Sequence, residues 1–198
     1  MSDAIDDAKR ALRAELRERR RVMSAAAVEA AGEQLSAHLD DLLARHEVSA
    51  ISCFLSTPFE PSTRAFVENA VARGIRVLLP ITRTDGLLDW TVATEDGDIA
   101  EGLFGLPEPV GELLGPIAVN DVDLMIVPAA AVDRTGMRLG WGRGYFDKTI
   151  GSMEGCPPVY AVVYDSEILD EVPSELHDQP VTGAVTPTRI HEFAPAAR

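Results

Sequence analysis

Cysteine is scarce in this chain: Cys53 and Cys156 are the only two thiols among 198 residues. That excludes a disulfide-stapled secreted fold and leaves reduced thiols, as expected in the cytoplasm. No apolar run approaches the ~18 residues of a membrane-spanning helix. The charged N-terminus has no apolar signal core either, so no membrane association is expected. Positive charge is also in short supply, with 18 Lys and Arg against 32 Asp and Glu and a net charge of −14. Such a field repels nucleic acid unless a concentrated basic surface overrides it. His38, His46, His177 and His191 have no Cys or His neighbour at zinc spacing, so they read as surface or capping groups. Ser52, Cys53 and Ser56 lack the elbow context of a covalent nucleophile. No GxxxxGK[ST] sequence occurs, which excludes a P-loop.

What is present is a core-forming composition, 46% hydrophobic. Fifteen Gly and thirteen Pro fall between periodic stretches and mark turns, not low complexity. The charge is unevenly placed: the first 21 residues carry a local net of +2, the remainder −16. That first stretch reads as a helix from about Asp3 to Arg21, with Ile5, Ala8, Leu12 and Leu16 on one side. Lys9, Arg13 and Arg17 form an adjoining basic stripe. Two explanations fit it: a solvated flank, with Asp6–Arg10 and Glu15–Arg19 pairs, or an anion site at the helix–body seam.

Ser24 is the predicted N-cap of a second helix that buries Val28, Ala31, Leu35, Leu39 and Leu42. Strands are predicted at 49–55 and 75–79, the latter stopped by Pro80, with a helix from Ser62-Thr63 to Arg73-Gly74 between them. An edge or hairpin strand at 87–92 and a turn-rich stretch at 96–116 follow. Residues 123–128 make the strongest buried-strand candidate. A short helix at 146–150, a strand at 159–163 and a last short element at Val185-Thr186 complete the reading. Helices alternating with apolar strands predict an α/β fold: a single three-layer domain with a central mixed, mostly parallel sheet flanked by helices.

The densest chemistry lies between Arg134 and Asp147, directly after the strongest strand, where α/β sheets collect ligands. Gly140, Gly142 and Gly144 let the backbone turn tightly and bring N–H groups near an anion. Arg138 and Arg143 could bind phosphate oxygens, and Asp147 could hold Mg²⁺ beside them. The dinucleotide fingerprint is missed, since the third glycine arrives one residue early. A tight structural turn and an anion loop both fit this composition.

The run Asp133-Arg-Thr-Gly136-Met-Arg138-Leu139-Gly140-Trp-Gly142-Arg-Gly144-Tyr145-Phe-Asp147 resembles the signature of the 5-formyltetrahydrofolate cyclo-ligases. Further patches extend the resemblance over nearly the whole chain. They are Lys9 and Arg13, Phe54-Leu55 to Glu60 and Thr63, Gly102 to Pro109, Pro173 to Val181 with His177, and Thr186. Trp141, Phe146 and Thr135 depart from commoner versions, which carry other side chains there.

The resemblance implies ATP-dependent closure of 5-formyltetrahydrofolate to 5,10-methenyltetrahydrofolate, with ATP as cosubstrate and Mg²⁺. It implies nucleotide contacts from Lys9, Arg13, Arg138, Gly140, Trp141, Gly142, Arg143, Gly144 and Tyr145, and a metal ligand in Asp147. Phe54, Leu55, Glu60 and Trp90 would meet the folate, with Glu60, Arg143 and Tyr145 catalytic. A cytoplasmic monomer acting on folate, possibly polyglutamylated, is expected. Another ATP-dependent activating enzyme, or a non-catalytic nucleotide or sugar-phosphate binder, would share the scaffold.

Overall fold

The computed structural model describes residues 2–175 and 178–193, so His177 lies outside the described residues. Along the chain run α1 (Ser2–Arg21), α2 (Ala25–His46), β1 (Ala50–Ser52), α3 (Arg64–Ala72), β2 (Arg76–Thr82), β3 (Leu88–Val92), β4 (Ile99–Glu101) and β5 (Pro107–Pro109). Then follow β6 (Leu124–Pro128), β7 (Ala131–Asp133), β8 (Arg138–Leu139), α4 (Tyr145–Ser152), β9 (Val159–Val162), β10 (Ile168–Leu169), β11 (Gly183–Val185) and β12 (Ile190–Glu192).

Seven strands form the central sheet in the order β12-β11-β9-β6-β1-β2-β3, parallel except for the two antiparallel edges β12 and β3. This is the mixed, mostly parallel sheet expected. Alternation along its strands divides the core. Leu124 and Ile126 of β6 pack with Leu35, Leu39 and Leu42 of α2 and Phe66 of α3. Met125 and Val127 face the other way, with Ile150 of α4 and Trp90. Helices thus cover both faces, giving three layers. From β1 the chain crosses by α3 to β2 on one side, and from β6 by α4 to β9 on the other. The order therefore reverses between β1 and β6, and α/β sheets open a binding crevice beyond the carboxyl ends of strands at such a point.

Several expectations need correction. Strand β2 runs through Pro80 to Thr82 instead of stopping there. Opposite Pro80 stands Trp90, whose N–H and C=O both bond Leu114, at 2.8 and 2.7 Å. That position asks for no donor, so proline is tolerated. On α1, Ala8 is exposed whereas Lys9 and Arg20 are buried with Leu16, so the inward face carries two cations. The exposed ion pairs include Glu15–Arg19 as expected, but Arg10 pairs with Asp7, not Asp6. Ser24 does cap α2, its hydroxyl accepting from the Ala27 N–H at 3.2 Å. Strands β7, β8 and β10 form a small separate sheet, unforeseen from sequence, against which Leu12 and Leu16 of α1 pack.

Candidate active site

The first half of the signature run is scaffolding. Asp133 Oδ1 accepts from the Thr135 N–H and hydroxyl (2.8 and 2.6 Å) and the Met137 N–H (3.1 Å), closing the β7–β8 turn. Its Oδ2 accepts from Val172 N–H at 3.2 Å, tying that turn to the late loop. Arg134 points away and pairs with exposed Asp170. The second half is the working part. Arg138 turns inward from β8, and the chain then loops through Gly140–Gly144 into α4. Gly144 caps this helix at φ +69° and Gly142 sits at φ +96°, conformations that side-chain-bearing residues rarely adopt.

Two clefts open on this loop. The first, about 550 Å³, is lined by Lys9, Arg13, Arg138, Lys148, Gly140, Gly142 and Gly144, with Asp6, Asp147, Glu175 and Asp178 as its acids. The second, about 380 Å³, is walled by Phe54, Leu55, Phe59, Pro80, Leu88, Leu106, Trp141, Tyr145 and Phe146 and carries Glu60, Glu108, Arg17 and Arg143. They meet along Arg138, Gly140, Gly144 and Asp147, which line both. Phe54 and Leu55 follow β1 and Pro128 ends β6, so the second cleft lies at the sheet's switch point.

At the junction, Arg138 Nη2 donates to Asp147 Oδ1 at 2.7 Å and Nη1 to Pro128 C=O at 3.1 Å. Arg13 Nε donates to the Gly140 carbonyl at 2.7 Å, and its guanidinium lies over Gly142, where a Cβ would stand 3.4 Å away. Burial pulls the Arg13 pKa down, against the fields of Asp178 and Asp6. Lys9 is tied to Asp178 (2.7 Å) and Glu175 (3.0 Å) on the late loop. Burial alone would lower its pKa, but these carboxylates outweigh that and raise it. Glu60 is buried, with Oε2 accepting from the Thr57 N–H (2.8 Å) and hydroxyl (2.9 Å).

The structure sorts the residues singled out from sequence. Lys9, Arg13, Arg138, Gly140, Gly142, Gly144 and Asp147 line the first cleft. Trp141, Arg143 and Tyr145, also expected at the nucleotide, line the second, with Phe54, Leu55 and Glu60. The Tyr145 hydroxyl donates to the Arg83 carbonyl at 2.8 Å, and Arg143 lies 3.2 Å over the Phe104 ring. Trp90 is fully buried in the core between sheet and α4 and lines neither cleft, because β3 turns this face inward. Cys53 is wholly buried and its thiol pushed up to about 12 by burial, so it is no nucleophile.

Two groups went unread in the sequence. Arg20 is buried against Glu167 through paired 2.7 Å bonds, and it stacks 4.9 Å from the centroid of Trp141, with Arg17 at 5.4 Å from the same ring. It lies 11 residues, about three turns, after Lys9, and that helical spacing was the available signal. The other is Glu108, which the Gly102 to Pro109 patch contained without a role and which lines the second cleft along with Glu60.

Among the described residues no three His, Cys, Asp or Glu groups converge into a ready-made metal cage. Magnesium commonly takes only one or two carboxylates, completing its shell with phosphate oxygens and water. Asp147, where the clefts meet, fits that role.

The sequence profile of the 5-formyltetrahydrofolate cyclo-ligase family matches residues 5–187. The chain belongs to this family. A 5-formyltetrahydrofolate cyclo-ligase of Mycolicibacterium smegmatis is 35% identical over 183 residues, covering 90% of this chain and 93% of that protein. One from Mus musculus is 26% identical, over 98% of both chains. The cyclo-ligase fold is shared too: the Aquifex aeolicus 5,10-methenyltetrahydrofolate synthetase superposes with a TM-score of 0.79 at 22% identity, covering 96% of this chain and 95% of the other.

Proposed function

We propose that this protein cyclises 5-formyltetrahydrofolate to 5,10-methenyltetrahydrofolate, splitting ATP to ADP and phosphate. The carrying observation is the meeting of a cleft that brings Lys9, Arg13, Arg138 and Lys148 together among four acids with an aromatic, carboxylate-bearing one, across Arg138, Gly140, Gly144 and Asp147. A polyphosphate suits the first cleft, where Arg13, Arg138, Lys148 and the backbone of the glycine loop converge on a chain that is otherwise strongly acidic. A flat, donor-bearing heterocycle suits the second.

The chemical obstacle is the formamide oxygen, a poor leaving group. Transfer of the γ-phosphoryl group onto it turns it into phosphate. N10 then attacks the formyl carbon and loses its proton, and departure of phosphate leaves the methenyl bridge. The protein's share is position and electrostatics. Arg138 stands between the clefts, where negative charge spreads during transfer, and Arg13 closes the far side through its bond to Gly140. Asp147 would be the residue that holds Mg²⁺, which would supply charge neutralisation there; Arg138, now bonded to Asp147, is the side chain placed to meet phosphate oxygens. Glu60, fixed by Thr57, orients the reduced ring or takes a proton. Tyr145, fixed on Arg83, packs the ring's edge. Both free thiols, one buried and one exposed, support a cytoplasmic setting.

The test is the near-ultraviolet absorbance of the methenyl product. It should rise only with ATP, Mg²⁺ and 5-formyltetrahydrofolate together; folded protein that gives no ATP-dependent rise refutes the assignment.

A further inference from the structure

Glu108 has no part in the chemistry above, yet it occupies the same cleft in the same manner as Glu60. We propose that Glu108 is a second substrate-binding carboxylate, which together with Glu60 accepts N–H donors of the reduced pterin; this rests on the folate reading.

The two residues are held by matching devices on different elements. At Glu60 the Thr57 N–H and hydroxyl both donate to Oε2. At Glu108 the Thr82 N–H (2.9 Å) and hydroxyl (2.5 Å) both donate to Oε1. Each side chain is 9% exposed and each lines the second cleft. A carboxylate offers about four acceptor sites. Both bonds at Glu108 go to one oxygen, and among the described residues none reaches Oε2. Glu108 lines the cleft with Leu88, Leu106 and Pro80, where a ligand's N–H donor can complete the oxygen that Thr82 leaves unused. A tie between β5 and β2 alone would be served as well by a neutral amide. The site is also kept clear from below: a Cβ on Gly102 would fall on the Glu108 carboxyl group. Flanking Pro107 and Pro109 fix the backbone that presents it. A reduced pterin, with amine and amide N–H groups around its rim, supplies the donors two such acceptors require.

The experiment is calorimetric titration of 5-formyltetrahydrofolate, and separately of ATP with Mg²⁺, into wild type, Glu108→Gln and Gly102→Ala. The Gln carbonyl can still accept from Thr82, so the fold survives while the free position becomes a donor. Gly102→Ala keeps the charge but displaces the carboxyl group, at a backbone φ of −87° that alanine tolerates. Each variant should bind 5-formyltetrahydrofolate roughly tenfold or more weakly, the loss of one charge-assisted hydrogen bond. ATP affinity should stay within about twofold of wild type, since Glu108 lines only the second cleft. Unchanged folate affinity in Glu108→Gln, or an equal loss for both ligands, overturns the assignment. Wild type that fails to bind 5-formyltetrahydrofolate refutes the folate reading and this assignment with it. Wild type that binds while Glu108→Gln binds equally well removes Glu108 alone.

Discussion

Removing the charge of Glu167 should loosen α1 and disable the first cleft from a distance. The Arg20 side chain is 1% exposed and the Glu167 side chain 3%. Arg20 donates through Nε and Nη2 to the two Glu167 oxygens and through Nη2 to the Ala129 carbonyl at 2.9 Å. Glu167 Oε2 also takes the Tyr164 N–H at 2.7 Å. In Glu167→Gln one side-chain oxygen becomes an NH₂ facing donors, and the guanidinium stays buried without its counter-charge. Breaking a buried pair in this way costs about 3–5 kcal/mol. At about 2–4 °C per kcal/mol for a chain of this size, Tm should fall by roughly 6–20 °C. The same loosening should raise the KM for ATP, because α1 carries Arg13 to the Gly140 carbonyl. An apolar pair, Arg20→Met with Glu167→Leu, removes both desolvation penalties and should regain most of the stability. Thermal melts and urea titrations of Glu167→Gln, Arg20→Met, Glu167→Leu and the double variant decide it. A loss below about 1 kcal/mol for Glu167→Gln, or a double variant as unstable as the two single losses added together, refutes the reasoning.

Gly142→Ala places a Cβ at φ +96°, a strain of about 1–2 kcal/mol. A matching drop in melting stability and a higher ATP KM are expected; wild-type values for both would contradict it. Asp147→Asn should keep the fold but raise the Mg²⁺ concentration for half-maximal rate, and an unchanged metal titration excludes its metal role. Backbone N–H groups of Ser49 and Ala50, then the Ser49 hydroxyl, hold the Asp123 carboxyl below its ordinary range. A depressed carboxyl pKa gives stability that is present above the unfolded value of about 3.9 and lost as pH falls through the folded one. Asp123→Asn should therefore flatten the acid limb of the stability–pH curve, and an identical acid limb would count against that linkage.

The elements were legible where one physical signal dominated. Leu124 to Val127 form an apolar run that read as the strongest buried-strand candidate and is a strand covered on both faces, and Ser24 names the start of α2. Pro80 misled because the local rule against proline in strands cannot see that Trp90 spends both backbone groups on Leu114. Periodicity placed Ala8 inside and assigned Arg20 no inward role. The partners that make Arg20 tolerable inside, Glu167 and the Trp141 and Tyr164 rings, lie more than a hundred residues away. The glycine loop announced its own flexibility, and Arg138 and Asp147 read correctly as neighbours of it. Its division between two clefts did not read, since residues one apart on a turning backbone face opposite ways: Gly142 lines one cleft and Arg143 the other. Glu108 lay inside the Gly102 to Pro109 patch of the resemblance, but its place in the cleft does not read until Thr82 is folded against it.

The central claim is that the formyl oxygen leaves as part of phosphate, which requires ATP in one cleft to reach folate in the other across Arg138. Substrate carrying ¹⁸O in the formyl group tests this most directly. A single turnover with ATP and Mg²⁺, followed by mass spectrometry of the released phosphate, should find one ¹⁸O per phosphate formed. Unlabelled phosphate alongside methenyl product would mean that ATP is split by water and that the two clefts do not exchange a phosphoryl group.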